Sequence, residues 1–247
     1  MTSTIDRPAA VTSATDLDER QQLACALPEL ARLDYNENFT GHITWQLPGT
    51  DELLVNPWGR WWNEVSASQI CRVDLDGKVL EGELVTEAIF IHTELHRRRA
   101  DARVVIHNHP HWGTLLSAMG VLPQITHQAD CVFDGELVLV DEYRGAVNDA
   151  TSGHALADEI GEATGVVMVS HGVLVTGADM AEAMFRAITF ERMCKMTYEL
   201  MVVGRQPREI DAAVRADVKG WLLRHGTHAY WDGAVRLLLA EHPDVLQ

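Results

Sequence analysis

Hydrophobic and polar positions along this chain follow two periods, one typical of helices and one of strands. The pattern predicts helices over 14–33, 86–99, 112–119, 151–162, 179–201, 208–223 and 228–240. Short apolar and β-branched runs predict strands over 41–46, 52–55, 69–74, 79–81, 103–107, 136–140, 165–170 and 173–176. Strands in the middle, with helices before, between and after them, predict an α/β sandwich.

Local signals indicate where these elements begin and end. Thr15, Thr86 and Asp179 are expected to cap the helices that follow them. Pro28 is expected to kink or split the first helix, because proline lacks the backbone N–H that a helix interior needs. Asp76-Gly77 predicts a hairpin between two of the strands.

The composition is that of one globular domain. The chain has 247 residues, of which 47% are hydrophobic, and we assign 14–247 to the domain and 1–13 to a disordered arm. No apolar run approaches the ~20 residues that span a bilayer, and the N-terminus lacks the apolar core of a secretory signal. The four cysteines are widely spaced without a CxxC pair, which predicts buried, reduced thiols in a cytoplasmic protein.

The charge balance narrows the class of partner. Lysines and arginines number 20 against 36 acidic residues, giving a net charge of −16. Such a chain repels nucleic acids and anionic membranes, so we expect neither as a partner. The motifs described below favour a small-molecule substrate instead. The one basic run, 97–99, is interpreted as a solvated helix face.

A group of histidines is the main candidate for chemistry. His107 and His109 lie two residues apart where an apolar strand ends, which places both imidazoles on one face. His171 follows another buried strand and precedes Gly172. Three neutral imidazoles can chelate a cation such as zinc, so this spacing favours a metal site over three separate structural histidines. His111 is a weaker alternative ligand.

Three further polar residues have open roles. Glu87 is a candidate fourth ligand or general base, or it simply benefits from a helix N-terminus. His92 and His96 lie one helical turn apart on one face of the helix. The HExxH motif of zinc proteases has glutamate directly after the first histidine, whereas this chain has Thr93 there. We therefore favour packing or metal-supporting roles for this pair.

The aromatic segment NPWGRWW, 56–62, offers two interpretations. In the first, it is a packed loop or a subunit interface. In the second, it is a pocket wall in which the tryptophan rings contact a ring of the substrate and Arg60 binds a substrate carboxylate. The loop around Gly41 is a candidate for presenting backbone N–H groups to an anion. GxSxG, Walker and GxGxxG motifs are absent from the sequence, which argues against serine hydrolases, P-loop NTPases and nicotinamide enzymes.

Together these motifs resemble the class II aldolase/adducin family over roughly residues 20–240. The resemblance is carried by FTGHIT (39–44), LVNPWG (54–59), the helix 87–101, VVIHNHP (104–110), LLSAMGVLPQ (115–124) and VSHGVLVTG (169–177). It implies a three-layer α/β/α sandwich around a mostly antiparallel sheet, and homotetramers with sites near subunit interfaces. It also implies that His107, His109 and His171 bind zinc, or manganese as in some members.

This sequence departs from the sugar-phosphate aldolases of the family in two places. Their catalytic glutamate falls on Ala88 here, and Glu87 is one residue early, which is ~100° of helix rotation. Their phosphate loops are rich in small hydroxyl residues, whereas NPWGRWW is aromatic. The chain looks closer to the adducin-like branch, which includes decarboxylases of ortho-hydroxy aromatic dicarboxylates.

The leading hypothesis is a metal-dependent carbon–carbon lyase that decarboxylates a hydroxylated aromatic or heteroaromatic (di)carboxylate through a metal-stabilised enolate or carbanion. The candidate proton donors are Glu87, His42 and Tyr230. The candidate substrate-binding residues are Arg60, Trp58, Asn56 and Gly41. The alternatives are an aldolase that cleaves a hydroxy-ketone or hydroxy-acid and, from another class, a non-catalytic adducin-like scaffold.

Overall fold

A sheet of eight strands forms the centre of the computed structural model, which describes residues 13–35 and 37–247. The strands are β1 His42–Gln46, β2 Glu52–Val55, β3 Cys71–Asp74, β4 Val79–Glu81, β5 Val104–Asn108, β6 Leu137–Val140, β7 Gly165–Met168 and β8 Gly172–Gly177. Their order is β4-β3-β2-β1-β5-β8-β7-β6, and only β6 and β7 pair in parallel. The expected mostly antiparallel sheet is confirmed.

Seven α-helices in the described residues pack around this sheet. They are α1 Glu19–Arg32, α2 Phe90–Arg98, α3 His111–Met119, α4 Ala150–Ile160, α5 Met180–Val202, α6 Ala212–Trp221 and α7 Thr227–Glu241. Helices α2 and α4 pack together on one face, whereas α1, α5 and α7 form a core on the other. The α/β/α layering that the family resemblance implies is therefore confirmed.

Alternation along β1 and β5 decides which side chains meet which helices. Ile43 and Ile106 point into the core formed with α1 and α5. Val105 points the other way, into the cluster formed with α2 and α4. His42 is paired directly with His107, and the next pair on that face is Thr44 with Val105. Side chains alternate between faces along a strand, so both histidines lie on the α2 side of the sheet.

The first helix begins later than predicted, and it is not split at Pro28. Asp18, not Thr15, caps α1: its side chain accepts a hydrogen bond from the Gln21 N–H at 2.8 Å. The helix continues through Pro28 to Arg32 instead of splitting there. Burial of the apolar face on either side of the proline stabilises the helix despite the missing hydrogen bond.

The predicted caps at Thr86 and Asp179 and the predicted hairpin at Gly77 are confirmed, although some helices begin or end at other residues than predicted. Thr86 caps a 3-10 turn, Glu87–Ile89, that leads into α2, and Asp179 caps α5. Gly77 has φ of +79° in the hairpin between β3 and β4, a conformation that glycine adopts without strain. The last two predicted helices are joined through a π-helical segment, Leu222–Gly226, so no loop separates them.

The basic run 97–99 is only partly solvated. Arg97 and Arg98 are exposed, but Arg99 is buried. Its guanidinium donates to the carbonyl of Ala163 at 2.6 Å and to both carboxylate oxygens of Asp101. The prediction of a solvated face is wrong for Arg99, because a guanidinium with that many partners can be buried.

Most of the predicted arm, 1–12, lies outside the described residues. Ser13 is described, and its hydroxyl donates to Asp232. The four cysteines are buried and unpaired, as predicted. In the described part of the chain, no helix is both long enough and apolar enough to cross a membrane.

Candidate metal centre

Three histidines converge at the end of strand β5, next to the turn that leads into β8. His107 lies near the end of β5, His109 follows that strand, and His171 lies in the turn between β7 and β8. One ring nitrogen from each lies within 4.8 Å of the other two. His107 is buried and the other two are half-buried, so the group is open on one side. The triad predicted from spacing is thus brought together by the antiparallel pairing of β5 with β8.

Hydrogen bonds fix which nitrogen of two of these histidines is free. His107 Nδ1 donates to the carbonyl of Val173 at 2.9 Å, and His109 Nδ1 donates to a carboxylate oxygen of Glu37 at 2.9 Å. Both acceptors lack a proton to donate, so both Nδ1 atoms carry one and both Nε2 atoms keep a lone pair. His109 Nε2 is buried without a hydrogen-bond partner. This orphaned donor set fits a divalent metal ion.

The local backbone positions His171 and leaves room for His109. Ser170 has φ of +57°, which turns the chain between β7 and β8. Ser117 accepts the His171 N–H at 3.1 Å and donates to the carbonyl of Met168, so it joins both sides of that turn. A Cβ atom on Gly172 would lie 2.5 Å from His109 Cδ2. Glycine at this position therefore allows His109 to lie against the turn.

Burial favours the neutral form of His107 and His171. It lowers the pKa of His107 well below its usual value, and repulsion from His42, His171 and His109 lowers it further. Burial, with a smaller contribution from His109, lowers the pKa of His171 to about 4. Neutral imidazole is the form that binds metal, so His107 and His171 do not need to release a proton near neutral pH.

A buried chain of hydrogen bonds leads from helix α2 to the triad. His42 Nδ1 lies 2.6 Å from His92 Nε2. Thr44 Oγ1 lies 2.7 Å from His92 Nδ1 and 2.8 Å from His96 Nε2. At the other end, the ring of His42 lies 5.0 Å from that of His107, between centroids. We call His42, His92, Thr44 and His96 the histidine relay.

The relay has two neutral arrangements. In one, every bond points toward the metal centre: His96 donates to Thr44, Thr44 to His92, and His92 to His42. The Nε2 of His42 then carries a proton. In the other, every bond is reversed and this Nε2 is an acceptor. Burial lowers the pKa of His42 and His92 well below the usual value and that of His96 to about 3, which favours the neutral forms.

The other two candidate proton donors lie elsewhere. Glu87 is exposed in the 3-10 turn before α2. Tyr230 lies on α7 with its ring 5.9 Å from that of Phe185, and burial raises the pKa of its hydroxyl. Within the described residues, neither side chain has a hydrogen bond or ring contact with the relay or the triad.

The candidate substrate-binding residues divide into two groups. Asn56 and Gly41 hold the loop before β1. Asn56 accepts the Ile43 N–H at 2.8 Å and donates to the Gly41 carbonyl at 3.3 Å. A Cβ on Gly41 would lie 2.5 Å from Asn108 Cγ, so the loop packs closely against β5. These contacts support the strand that carries His42.

The second group lies at the surface. Trp58 is 41% exposed and packs edge-to-face on Phe39, with ring centroids 5.3 Å apart. Arg60 pairs with Glu83 at 2.7 Å. Trp62, from the same segment, is fully buried and donates to the Gly41 carbonyl. The segment is thus a packed loop at Trp62 and an exposed aromatic surface at Trp58.

Sequence reasoning missed Glu37, Thr44 and Tyr143. Thr44 follows His42 by two residues on a strand, so period-two spacing is a signal for it. Tyr143 lies in the loop before α4, with its ring 6.1 Å from that of His171. Neither Glu37 nor Tyr143 has a periodic signal, because each lies in a loop.

The chain is similar to known proteins in sequence and in fold. Residues 21–198 match the family model of the class II aldolase and adducin N-terminal domain. The chain belongs to this family. A Pseudomonas aeruginosa protein named for the class 2 aldolases is 26% identical over the whole length of both chains.

Two further similarities concern activity and fold. Decarboxylase NovR of Streptomyces niveus is 29% identical over 197 residues, which cover 77% of this chain and 72% of NovR. The structure of L-fuculose 1-phosphate aldolase from Glaciozyma antarctica superposes with a TM-score of 0.78 at 22% identity, covering 90% of each chain. The latter similarity shows the class II aldolase fold.

Proposed function

We propose that this chain is a metal-dependent carbon–carbon lyase that decarboxylates a hydroxylated aromatic or heteroaromatic carboxylate. The observation that carries the proposal is the convergence of three imidazoles, two of them with Nε2 free, beside the ring of a fourth histidine at the end of a buried relay. The similarity to a decarboxylase supports this branch of the family's chemistry.

His107, His109 and His171 would hold the ion, Zn²⁺ or Mn²⁺, since a three-imidazole set accepts either. When bound, the ion would act as a Lewis acid that stabilises the electron pair left on the substrate when the carbon–carbon bond breaks. Val173 and Glu37 fix the tautomers of His107 and His109, so that the Nε2 lone pairs of both histidines are available to bind the ion.

His42 is the residue we assign to proton transfer. Loss of CO₂ leaves an electron pair on the substrate carbon, and that carbon must receive one proton. His42 Nε2 carries a proton in one arrangement of the relay, and its ring neighbours that of a triad member. Glu87 is exposed, and Tyr230 packs on α7, so His42 takes precedence over both.

The aromatic surface has a proposed role in binding. The exposed ring of Trp58 offers a flat apolar face to a substrate ring. Arg60 has its charge compensated by Glu83, so it would need to exchange partners to bind a carboxylate. We expect a homotetramer in the cytoplasm, and both of these stay predictions.

The test is product detection with metal-loaded protein. A panel of hydroxybenzoates, hydroxy-acids and hydroxy-ketones is incubated with the protein, and CO₂ and carbonyl fragments are measured separately. We expect CO₂ from a hydroxybenzoate, lost in His171→Ala but retained in His111→Ala, since His111 is exposed and outside the triad. A carbonyl fragment in place of CO₂ would identify an aldolase. Failure to bind metal would favour the scaffold hypothesis.

A further inference from the structure

An apolar slot lies beside the metal centre, between the β6–α4 loop and helix α4. Val140, Val147, Leu156 and Met168 line it, and His171 lines it as well. His171 also belongs to the triad, so the slot adjoins the metal centre through this side chain. The exposed ring of Tyr143 lines the slot and lies 6.1 Å from the ring of His171.

The floor of the slot is part of the hydrophobic core. Val140, Leu156 and Met168 are buried members of the cluster between the sheet and α4, and Val147 packs against that cluster. A surface of this kind gains free energy when an apolar group displaces water from it. It offers few hydrogen-bond partners to a sugar.

The charges at the rim disfavour an anion. Arg144 is the basic residue of the lining, and it pairs with Glu142 at 2.9 Å and with Glu159 at 2.6 Å. One guanidinium therefore lies between two carboxylates, and the rim has a net negative charge. A phosphate or second carboxylate placed here would be repelled rather than held.

The volume limits the size of the occupant. The cavity measures about 70 Å³. Because one water takes up roughly 30 Å³ of liquid volume, the cavity has room for about two waters, or for an apolar group of about two to three carbon atoms.

We infer that the apolar slot receives an uncharged apolar substituent of the substrate, about the size of a two- to three-carbon chain, while the acid group lies at the triad. This inference rests on the proposed function. It adds that the substrate has an apolar substituent next to its metal-binding end, and it makes Ala155, another lining residue, a determinant of specificity.

The test measures affinity in a matched ligand series on zinc-loaded protein. The probes are salicylate, its three ring-propyl isomers 3-, 4- and 5-propylsalicylate, and the analogues in which a carboxyethyl group replaces propyl. Each buried CH₂ adds about fourfold in affinity. We expect at least one propyl isomer to bind ten- to fiftyfold more tightly than salicylate by calorimetry, and its carboxyethyl analogue to gain nothing.

A matched pair of variants locates the effect. Ala155→Leu fills the slot, whereas Ala150→Leu makes the same change on the same helix outside the lining. We expect Ala155→Leu to abolish the advantage of the propyl isomer with the Kd of salicylate unchanged, and Ala150→Leu to preserve both.

The outcomes separate the two proposals. If salicylate binds in a metal-dependent way but no propyl isomer binds more tightly, the slot inference is overturned and the proposed function stands. If Ala155→Leu weakens salicylate and the propyl isomer equally, the slot inference is likewise overturned. If no member of the series binds the zinc-loaded protein, both proposals fail.

Discussion

Glu37→Gln tests how the protein prepares its metal ligands. The Glu37 carboxylate accepts the His109 Nδ1–H at 2.9 Å, and its side chain is 58% exposed. Glutamine keeps an acceptor oxygen but removes the negative charge. Loss of such a supporting partner typically lowers metal affinity by about 10- to 100-fold. Solvent screens an exposed carboxylate, so we expect the lower end of that range, about tenfold.

The assay is competition for zinc against a chromophoric chelator at fixed pH, starting from stripped protein. Glu87→Gln is the matched control, because Glu87 is an exposed glutamate without contact to the triad, and it should leave the zinc Kd unchanged. The metal-free Tm should not move in either variant. An unchanged zinc Kd in Glu37→Gln would refute the reasoning, as would an equal loss in both variants.

Three other substitutions test the remaining parts of the site. Thr44→Val interrupts the histidine relay and should lower kcat at least tenfold with KM little changed; an unchanged kcat would contradict a role for His42 in proton transfer. Gly172→Ala places a methyl group 2.5 Å from His109 Cδ2, so zinc affinity and Tm should both fall, and calorimetry checks both.

His96→Gln should flatten the acid side of the stability profile. The pKa of His96 is about 3 when folded, against ~6.5 unfolded, so its stabilising contribution is complete above pH 6.5 and is lost as pH falls. Between pH 6 and pH 4, the free energy of unfolding of the wild type should fall by about 1.4 kcal/mol per pH unit more than that of the variant, as measured by urea unfolding. Parallel profiles would contradict this.

Much of the fold is encoded locally and was therefore predictable. The β-branched, apolar run that ends at His107 indicates a buried strand, and β5 is buried along its whole length. The triad was predictable for the same reason, since a two-residue spacing at a strand end and a histidine–glycine pair after another strand are both sequence features. Helix bounds were less predictable from the sequence. Burial stabilises α1 through Pro28, although proline is unfavourable inside a helix.

The side chains that surround the triad were not predictable, because they reach it through contacts between segments far apart in the sequence. Glu37 reaches His109 from a loop 72 positions earlier in the chain. Thr44 joins His92 to His96 only because β1 packs under α2. Tyr143 and the apolar slot arise where the loop before α4 passes His171. Each depends on tertiary packing between segments that have no shared periodicity.

The most direct test of the central claim is the metal content of the protein after purification without chelators. Elemental analysis of wild type, His171→Ala and His111→Ala measures it in one experiment. We predict close to one equivalent of zinc or manganese per chain in wild type and in His111→Ala, and almost none in His171→Ala. Equal metal content in all three, or none in wild type even after metal is supplied, would contradict the account.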